Sequence, residues 1–203
     1  FKGKIYGSEP TLKIAEIILK DSAKIQEEEA ARANKEGYSI HHPAEAFYDL
    51  KDVEKTTALF RPVSEGKWHL IEGEFKISWQ YNGHIIGSTF IEIETHGKRL
   101  VFSGDIGRKN DLLLYAPKKP GKADVLLIES TYGGRIHQEE ETIVPELERI
   151  INETVERRGS LFIPSFAVER TQLMMVMIWQ LLKEKRIPEI PMVMDSPMGA
   201  NVL

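Results

Sequence analysis

His84, Asp105 and Glu129 each close a run of strand-like residues, in the strings Gly83-His84-Ile85-Ile86-Gly87-Ser88, Ser103-Gly104-Asp105-Ile106-Gly107-Arg108 and Ile128-Glu129-Ser130-Thr131-Tyr132-Gly133. Polar groups at strand ends can converge on one cleft, and imidazole nitrogen with carboxylate oxygen is the donor set of zinc doing hydrolysis. Taken singly, His84 reads as a hydrogen-bonded structural histidine and Asp105 as a turn-forming residue. Their joint occurrence at glycine-flanked strand ends shifts the balance toward a metal site, since a glycine-flanked strand-end carboxylate is what bridging two ions would need. Glu129 ends a strand expected to be buried, where a lone carboxylate is costly. Its expected partners are a ligand histidine or the backbone amides of Thr131 and Tyr132, ahead of direct metal ligation. The set is incomplete, because a two-metal centre needs more ligands and no His-x-His-x-Asp-His cluster occurs. His41-His42-Pro43 does not supply one, since adjacent residues of an extended loop point to opposite sides and no Asp-His follows.

Composition limits the classes to which such a site could belong. The 203 residues are 41% hydrophobic and 29% charged, enough to bury a core as one large domain or two small ones. The longest apolar run, Leu173 to Leu182, is broken by Gln180 and too short to span a bilayer, and the N-terminus has no charged-then-apolar signal pattern. With no cysteine, disulfides, iron–sulfur clusters and thiolate zinc are excluded, so a metal must sit on His, Asp and Glu. A cytoplasmic protein fits that usage. A net charge of −4 argues against broad coating of nucleic acid but leaves room for a local basic groove.

The elements that must position these residues follow from periodicity. Lys4-Ile5-Tyr6 reads as a strand and Ser8-Glu9-Pro10-Thr11 as a helix cap. Leu12 to Leu19 carries a helical apolar face, and Asp21-Ser22 is expected to cap a second helix running to Ala33, with Glu27, Glu28 and Glu29 on a solvated face. Gly37 ends it, a loop spans Tyr38 to Pro43, and Asp49 to Phe60 is a short helix. From Val63 the period becomes two, through Trp68, Leu70, Phe75, Ile77, Trp79 and Tyr81. Ser88–Thr95 and Arg99–Ser103 read as a hairpin turned at His96-Gly97-Lys98. Asp124 to Ile128 is wholly apolar after its first residue and reads as a central strand buried on both faces. After Gly133-Gly134, where a domain boundary is placed, a helix over Glu139 to Arg157, a strand at Leu161 to Pro164, a helix over Val168 to Lys185 and a strand at Met192 to Met194 predict βαβ units.

Secondary candidates lie at later strand ends and just after the three strings. Ser165-Phe166-Ala167 leads into a helix whose N-terminus, with Arg170, could hold a phosphate, against pairing of Arg170 with Glu169 or another carboxylate. Asp195-Ser196-Pro197 is a turn at the next strand end. Arg108, Arg135 and His137 are placed either to touch nucleic acid or to serve structure. His69 and His96 read as surface residues, and Met174, Met175 and Met177 beside Trp179 as a helix core stripe.

Together with Asp21-Ser22-Ala23-Lys24-Ile25-Gln26-Glu27-Glu28-Glu29-Ala30, the strings Asn82 to Ser88, Ser103 to Arg108 and Ile128 to Gly133 resemble the β-CASP branch of the metallo-β-lactamase-fold nucleases. Within it, they are most similar to bacterial and archaeal relatives of the polyadenylation factor's endonuclease subunit. The resemblance implies an α/β fold: residues 1–133 as a partial metallo-β-lactamase αββα sandwich lacking its N-terminal metal-ligand half, and 134–203 as part of an inserted β-CASP parallel-sheet domain. It implies two zinc ions in the full-length parent, with His84 a ligand and Asp105 the bridging carboxylate. Glu129 would pair with a late histidine acting as general acid, which makes Asp105, His84 and Glu129 the catalytic set. Arg108, Ser165, Arg170 and Ser196 would border the substrate. The implied activity is hydrolysis of phosphodiester bonds in single-stranded RNA, endo- or exonucleolytic, in a cytoplasmic enzyme without a membrane partner and with homodimerisation open. The family's His-x-His-x-Asp-His string is expected upstream of Phe1 and the late histidines downstream of Leu203, so these residues are expected to be an internal segment that is inactive alone. Two alternatives stand beside this: a non-catalytic β-CASP subunit binding RNA or a partner, and a small-molecule hydrolase of the same superfamily.

Overall fold

The structure, a computed structural model, describes residues 1–136 and 142–202. The chain is mixed α/β and divides into two compact units, Phe1–Glu129 and Ser130–Leu203.

In the first unit, strand β1 (Ile5–Ser8) runs straight into helix α1 (Glu9–Glu36). The Ser8 hydroxyl accepts from the Thr11 N–H, and Pro10 sits in the first turn, where no intrahelical donor is needed. Gly37, at φ 71°, closes the helix as its left-handed C-cap. The expected restart at Asp21-Ser22 does not occur, and α1 is continuous over 28 residues. Ser22 Oγ accepts instead from Gln26 Nε2 one turn on, so it does not compete for the backbone, and Ala23 is fully buried and keeps the inner face unbroken. Glu27, Glu28 and Glu29 are exposed, as expected.

Helix α2 (Leu50–Thr57) begins at a reciprocal capping box between Asp49 and Asp52. It stops short of Phe60, which belongs to strand β2 (Phe60–Val63). The reason is non-local: Ile5 N–H donates to Leu59 O, and β1 and β2 pair in parallel from Ile5↔Phe60 to Ser8↔Val63.

A five-stranded sheet follows in the order β3 (Trp68–Ile71), β4 (Phe75–Tyr81), β5 (Thr89–Thr95), β6 (Lys98–Phe102), β7 (Val125–Leu127). The first four strands are antiparallel, and β7 joins β6 in parallel. The β5–β6 hairpin turns at His96-Gly97, both at positive φ, as a tight two-residue connection requires. Ser78, Phe90, Glu92 and Val101 are buried on one face of this sheet, where Glu92 accepts from Gly121 N–H, and Trp79, next to Ser78 along β4, is buried on the other. The expectation for β7 is corrected: it is three residues long, and Val125, Leu126 and Leu127 are 47%, 52% and 47% exposed. An apolar strand is buried on both faces only where layers lie on each, and here its ladder neighbour is β6 alone.

The second unit holds helices α3 (Ile143–Glu156), α4 (Arg170–Lys183) and α5 (Pro197–Val202). Leu147 and Ile151 of α3 pack with Leu173, Met177, Ile178 and Leu181 of α4 and with Ile187. Residues 137–141, and so the expected start of the first helix at Glu139 and the candidate His137, lie outside the described residues. Met177 is buried and Met174 packs against the core, but Trp179 faces out, with Lys183 Nζ 5.0 Å from its ring centroid. The expected strands at Leu161–Pro164 and Met192–Met194 form no ladder among the described residues, and Phe162 and Val193 are exposed. Such runs need partners distant in sequence, since a parallel neighbour cannot be supplied by an adjoining hairpin.

Candidate metal centre

The backbone around His84 is set before its side chain is. At the end of β4, Asn82 N–H donates to Ser88 O, closing the loop that carries His84. Inside that loop Ser88 Oγ accepts from the N–H groups of His84 (2.9 Å) and Ile85 (3.2 Å). The loop is also tied to the start of α1, because Gly87 O accepts from Thr11 Oγ1 at 2.5 Å and from Ser8 Oγ at 2.9 Å. The Ser8-to-Thr11 cap that begins the helix therefore also anchors the histidine loop.

The Asp105 loop leaves β6 and lies directly against the His84 loop. Gly107 N–H donates to Asn82 O at 3.0 Å. A Cβ at Gly107 would fall 1.8 Å from Gly83 O and 2.6 Å from His84 N, so only glycine permits this approach. Gly83 is likewise required, at φ 70° and with Tyr115 O 2.6 Å from where a Cβ would sit. The result is that His84 Nε2 lies 3.7 Å from Asp105 Oδ2, with the two side chains 45% and 72% exposed.

Glu129 joins the same loops by a route not foreseen. It is half-buried rather than at the end of a buried strand, and its Oε1 accepts from Ile106 N–H at 2.5 Å, next to Asp105. Its own N–H donates to Ser103 Oγ at 3.0 Å, and that hydroxyl donates to Gly104 O. Asn82 and Ser103, which hold the loops together, were not singled out from sequence. The available signal was an asparagine at a strand end next to a glycine turn, a short amide able to bridge neighbouring backbones.

An imidazole nitrogen and a carboxylate oxygen at this separation, both open to solvent, suit a zinc shell in donor type and supply part of one. Among the described residues no group of three or more His, Asp and Glu side chains is placed to hold an ion. His41 and His42 stand apart from the pair on the exposed loop after α1, where with Pro43 and Glu45 they line an open cleft. His69 Nε2 is 3.0 Å from Ser64 O with its ring edge-on to Trp79, and His96 Nδ1 is 2.9 Å from Thr95 Oγ1, both local structural contacts. Arg108, Ser165 and Arg170 are exposed. Ser196 Oγ accepts from Gly199 N–H and so caps the turn into α5.

Strand-end loops of the first, mixed α/β unit thus present a histidine and acidic residues close to one another. No protein-family model matches the chain. Ribonuclease TTHA0252 of Thermus thermophilus is 32% identical over 203 residues, all of this chain and 42% of that protein. An RNase J-like protein of Methanocaldococcus jannaschii is 30% identical over 198 residues, 96% of this chain and 42% of that protein. Cleavage and polyadenylation specificity factor subunit 3 of Dictyostelium discoideum is 28% identical over 185 residues, 88% of this chain and 21% of that protein. The chain is similar over nearly all of its length to these proteins, which are metallo-β-lactamase-fold β-CASP nucleases. It spans less than half the length of these curated relatives.

Proposed function

We propose that this chain is an internal segment of a zinc-dependent ribonuclease that hydrolyses phosphodiester bonds of single-stranded RNA. In this reading residues 1–133 belong to a metallo-β-lactamase domain and 134–203 to an inserted β-CASP domain. The observation that carries it is the approach of His84 Nε2 to within 3.7 Å of Asp105 Oδ2, across two loops locked together by Gly107, in a chain whose full length matches a ribonuclease.

His84 and Asp105 would hold the metal, the remaining ligands coming from outside these residues. Bound zinc supplies activation of water near neutral pH and neutralisation of phosphate charge. The chain's own groups do the positioning. Ser88 Oγ and the α1 cap fix the backbone on which His84 sits, so its ring nitrogen is presented without loss of loop freedom on each turnover. Glu129 holds Ile106 N–H and thereby the backbone adjoining Asp105. In the same reading Glu129 orients a histidine of the parent that protonates the leaving ribose oxygen. In this reading Arg108, exposed three residues after Asp105, would meet a phosphate, and Ser165, Arg170 and Ser196 would be substrate contacts of the β-CASP part. A cytoplasmic location belongs to this reading, and homodimerisation is left to measurement.

The test is made on the full-length parent. Zinc content and cleavage of a single-stranded RNA are measured for the unaltered protein and for His84→Ala and Asp105→Ala, with circular dichroism as the check on folding. Both substitutions should abolish cleavage and leave the fold; cleavage that survives both overturns the site assignment. The 203-residue segment alone should show no cleavage.

A further inference from the structure

Asn82 is 2% exposed and bonds across to the Asp105 loop through both its side chain and its backbone. Its Nδ2 donates one hydrogen to Ser103 O at 2.8 Å and the other to Asp105 O at 2.6 Å, while its own carbonyl accepts from Gly107 N–H at 3.0 Å. These three bonds bracket Asp105 on both sides.

The double donation constrains the shape of the Asp105 loop. In an extended strand, carbonyls two residues apart are separated by about 6.6 Å, farther than one nitrogen can bridge at hydrogen-bonding distance. Here the chain folds back at Gly104, at φ 55°, which draws the Ser103 and Asp105 carbonyls onto one amide. The same fold turns the Asp105 side chain toward His84. Because Asn82 lies two residues before His84 on the other loop, its amide couples the direction of the carboxylate to the position of the imidazole. An aspartate of equal size could not do this, since its ionised side chain only accepts and would face two carbonyl oxygens.

We infer that Asn82 is a positioning residue: its side-chain amide holds the Gly104 kink and sets Asp105 against His84 for metal binding. This rests on the metal-site reading above. The experiment compares full-length Asn82→Ala, His84→Ala and unaltered protein at 25 °C, measuring zinc affinity by competition with a chromophoric chelator, the thermal midpoint of the zinc-free forms, and kcat and KM on single-stranded RNA. Asn82→Ala should weaken zinc binding by about 10–100-fold and lower kcat by a similar factor, with KM changed by no more than about twofold. A lowered zinc-free midpoint with zinc affinity and kcat unchanged would mean that Asn82 serves stability alone, and overturns the inference. His84→Ala separates the two levels: if it loses zinc while Asn82→Ala does not, only the positioning role fails, whereas zinc binding unaltered in His84→Ala removes the site and the inference with it. Should Asn82→Ala not fold, the unaltered protein carrying 15N-labelled asparagine is titrated with zinc. The Asn82 side-chain amide resonances should shift in it and not in His84→Ala; unmoved resonances overturn the inference.

Discussion

Strands β4, β5 and β6 and the runs Leu161–Pro164 and Met192–Met194 are all rich in strand-forming residues, yet only the first group makes a ladder among the described residues. The difference lies in where partners come from. Each strand of the meander meets its neighbour across a connection between successive strands, so the pairing closes a small loop of chain. The two runs of the second unit precede and follow α4, and parallel pairing between elements so arranged requires a crossover or strands from elsewhere. Among the described residues, what holds the second unit is the contact of α3 with α4 and not a sheet. Strand β7 stands between the cases: apolar and exposed like those runs, it nevertheless pairs, because Asp124 N–H donates to Arg99 O while Asp124 accepts from Arg99 N–H and from Lys98 Nζ.

Phe90 and Phe162 break the comparison most sharply. Phe90→Ala, at a buried position of β5, should cost about 3–5 kcal/mol in chemical denaturation. Gly107→Ala should cost about 1–3 kcal/mol, because the new Cβ lands on Gly83 and His84 backbone that cannot give way by rotating a side chain. It should also part His84 from Asp105, read as weaker zinc binding in the full-length protein. Phe162→Ala, at an exposed position outside any ladder, should stay within about 0.5 kcal/mol of the parent chain. A loss near that of Phe90→Ala would show that the Leu161 run is buried in solution and that the two regions are alike after all.

The smallest effect concerns the anchor of β7. The Asp124 carboxyl is held below its ordinary range, first by the Arg99 backbone N–H and then by Lys98. A carboxylate whose folded-state pKa is depressed stabilises the fold above its unfolded value, about 3.9, and that contribution is lost as pH falls through the lower folded value. Asp124→Asn should therefore flatten the acid limb of a stability-versus-pH curve below about pH 4 while leaving the curve near neutrality parallel to the parent's. An unchanged acid limb would mean that the Asp124 anchor does not hold β7 in solution.

Much of the first unit was legible in the residue order because its determinants are local. The Ser8 cap, the Gly37 terminus, the helix start near Asp49 and the His96-Gly97 hairpin each depend on residues within a few positions of one another. Asp21-Ser22 misled because a capping pair is indistinguishable in sequence from two polar residues inside a long helix; the burial of Ala23 decides between them. Phe60 misled because its strand exists only through β1, more than fifty residues earlier in the chain. The apolar Asp124–Ile128 run announced a strand correctly but not its exposure, since burial depends on what lies over a strand and not on its composition.

The residue order by itself determined the donor chemistry: with no cysteine, any metal here falls to His, Asp and Glu, and the strand-end strings name His84, Asp105 and Glu129 as the candidates. Their spacing could not say that His84 and Asp105 lie 3.7 Å apart, that Glu129 bonds Ile106 N–H, or that Asn82 joins the loops. Those facts depend on the antiparallel register of β4, β5 and β6, which brings two loops some twenty residues apart to the same sheet end, and on a backbone approach that only Gly107 permits. Donor type is a property of side chains and can be read along the chain, whereas convergence is a property of hydrogen-bonded backbones and exists only once the sheet has formed.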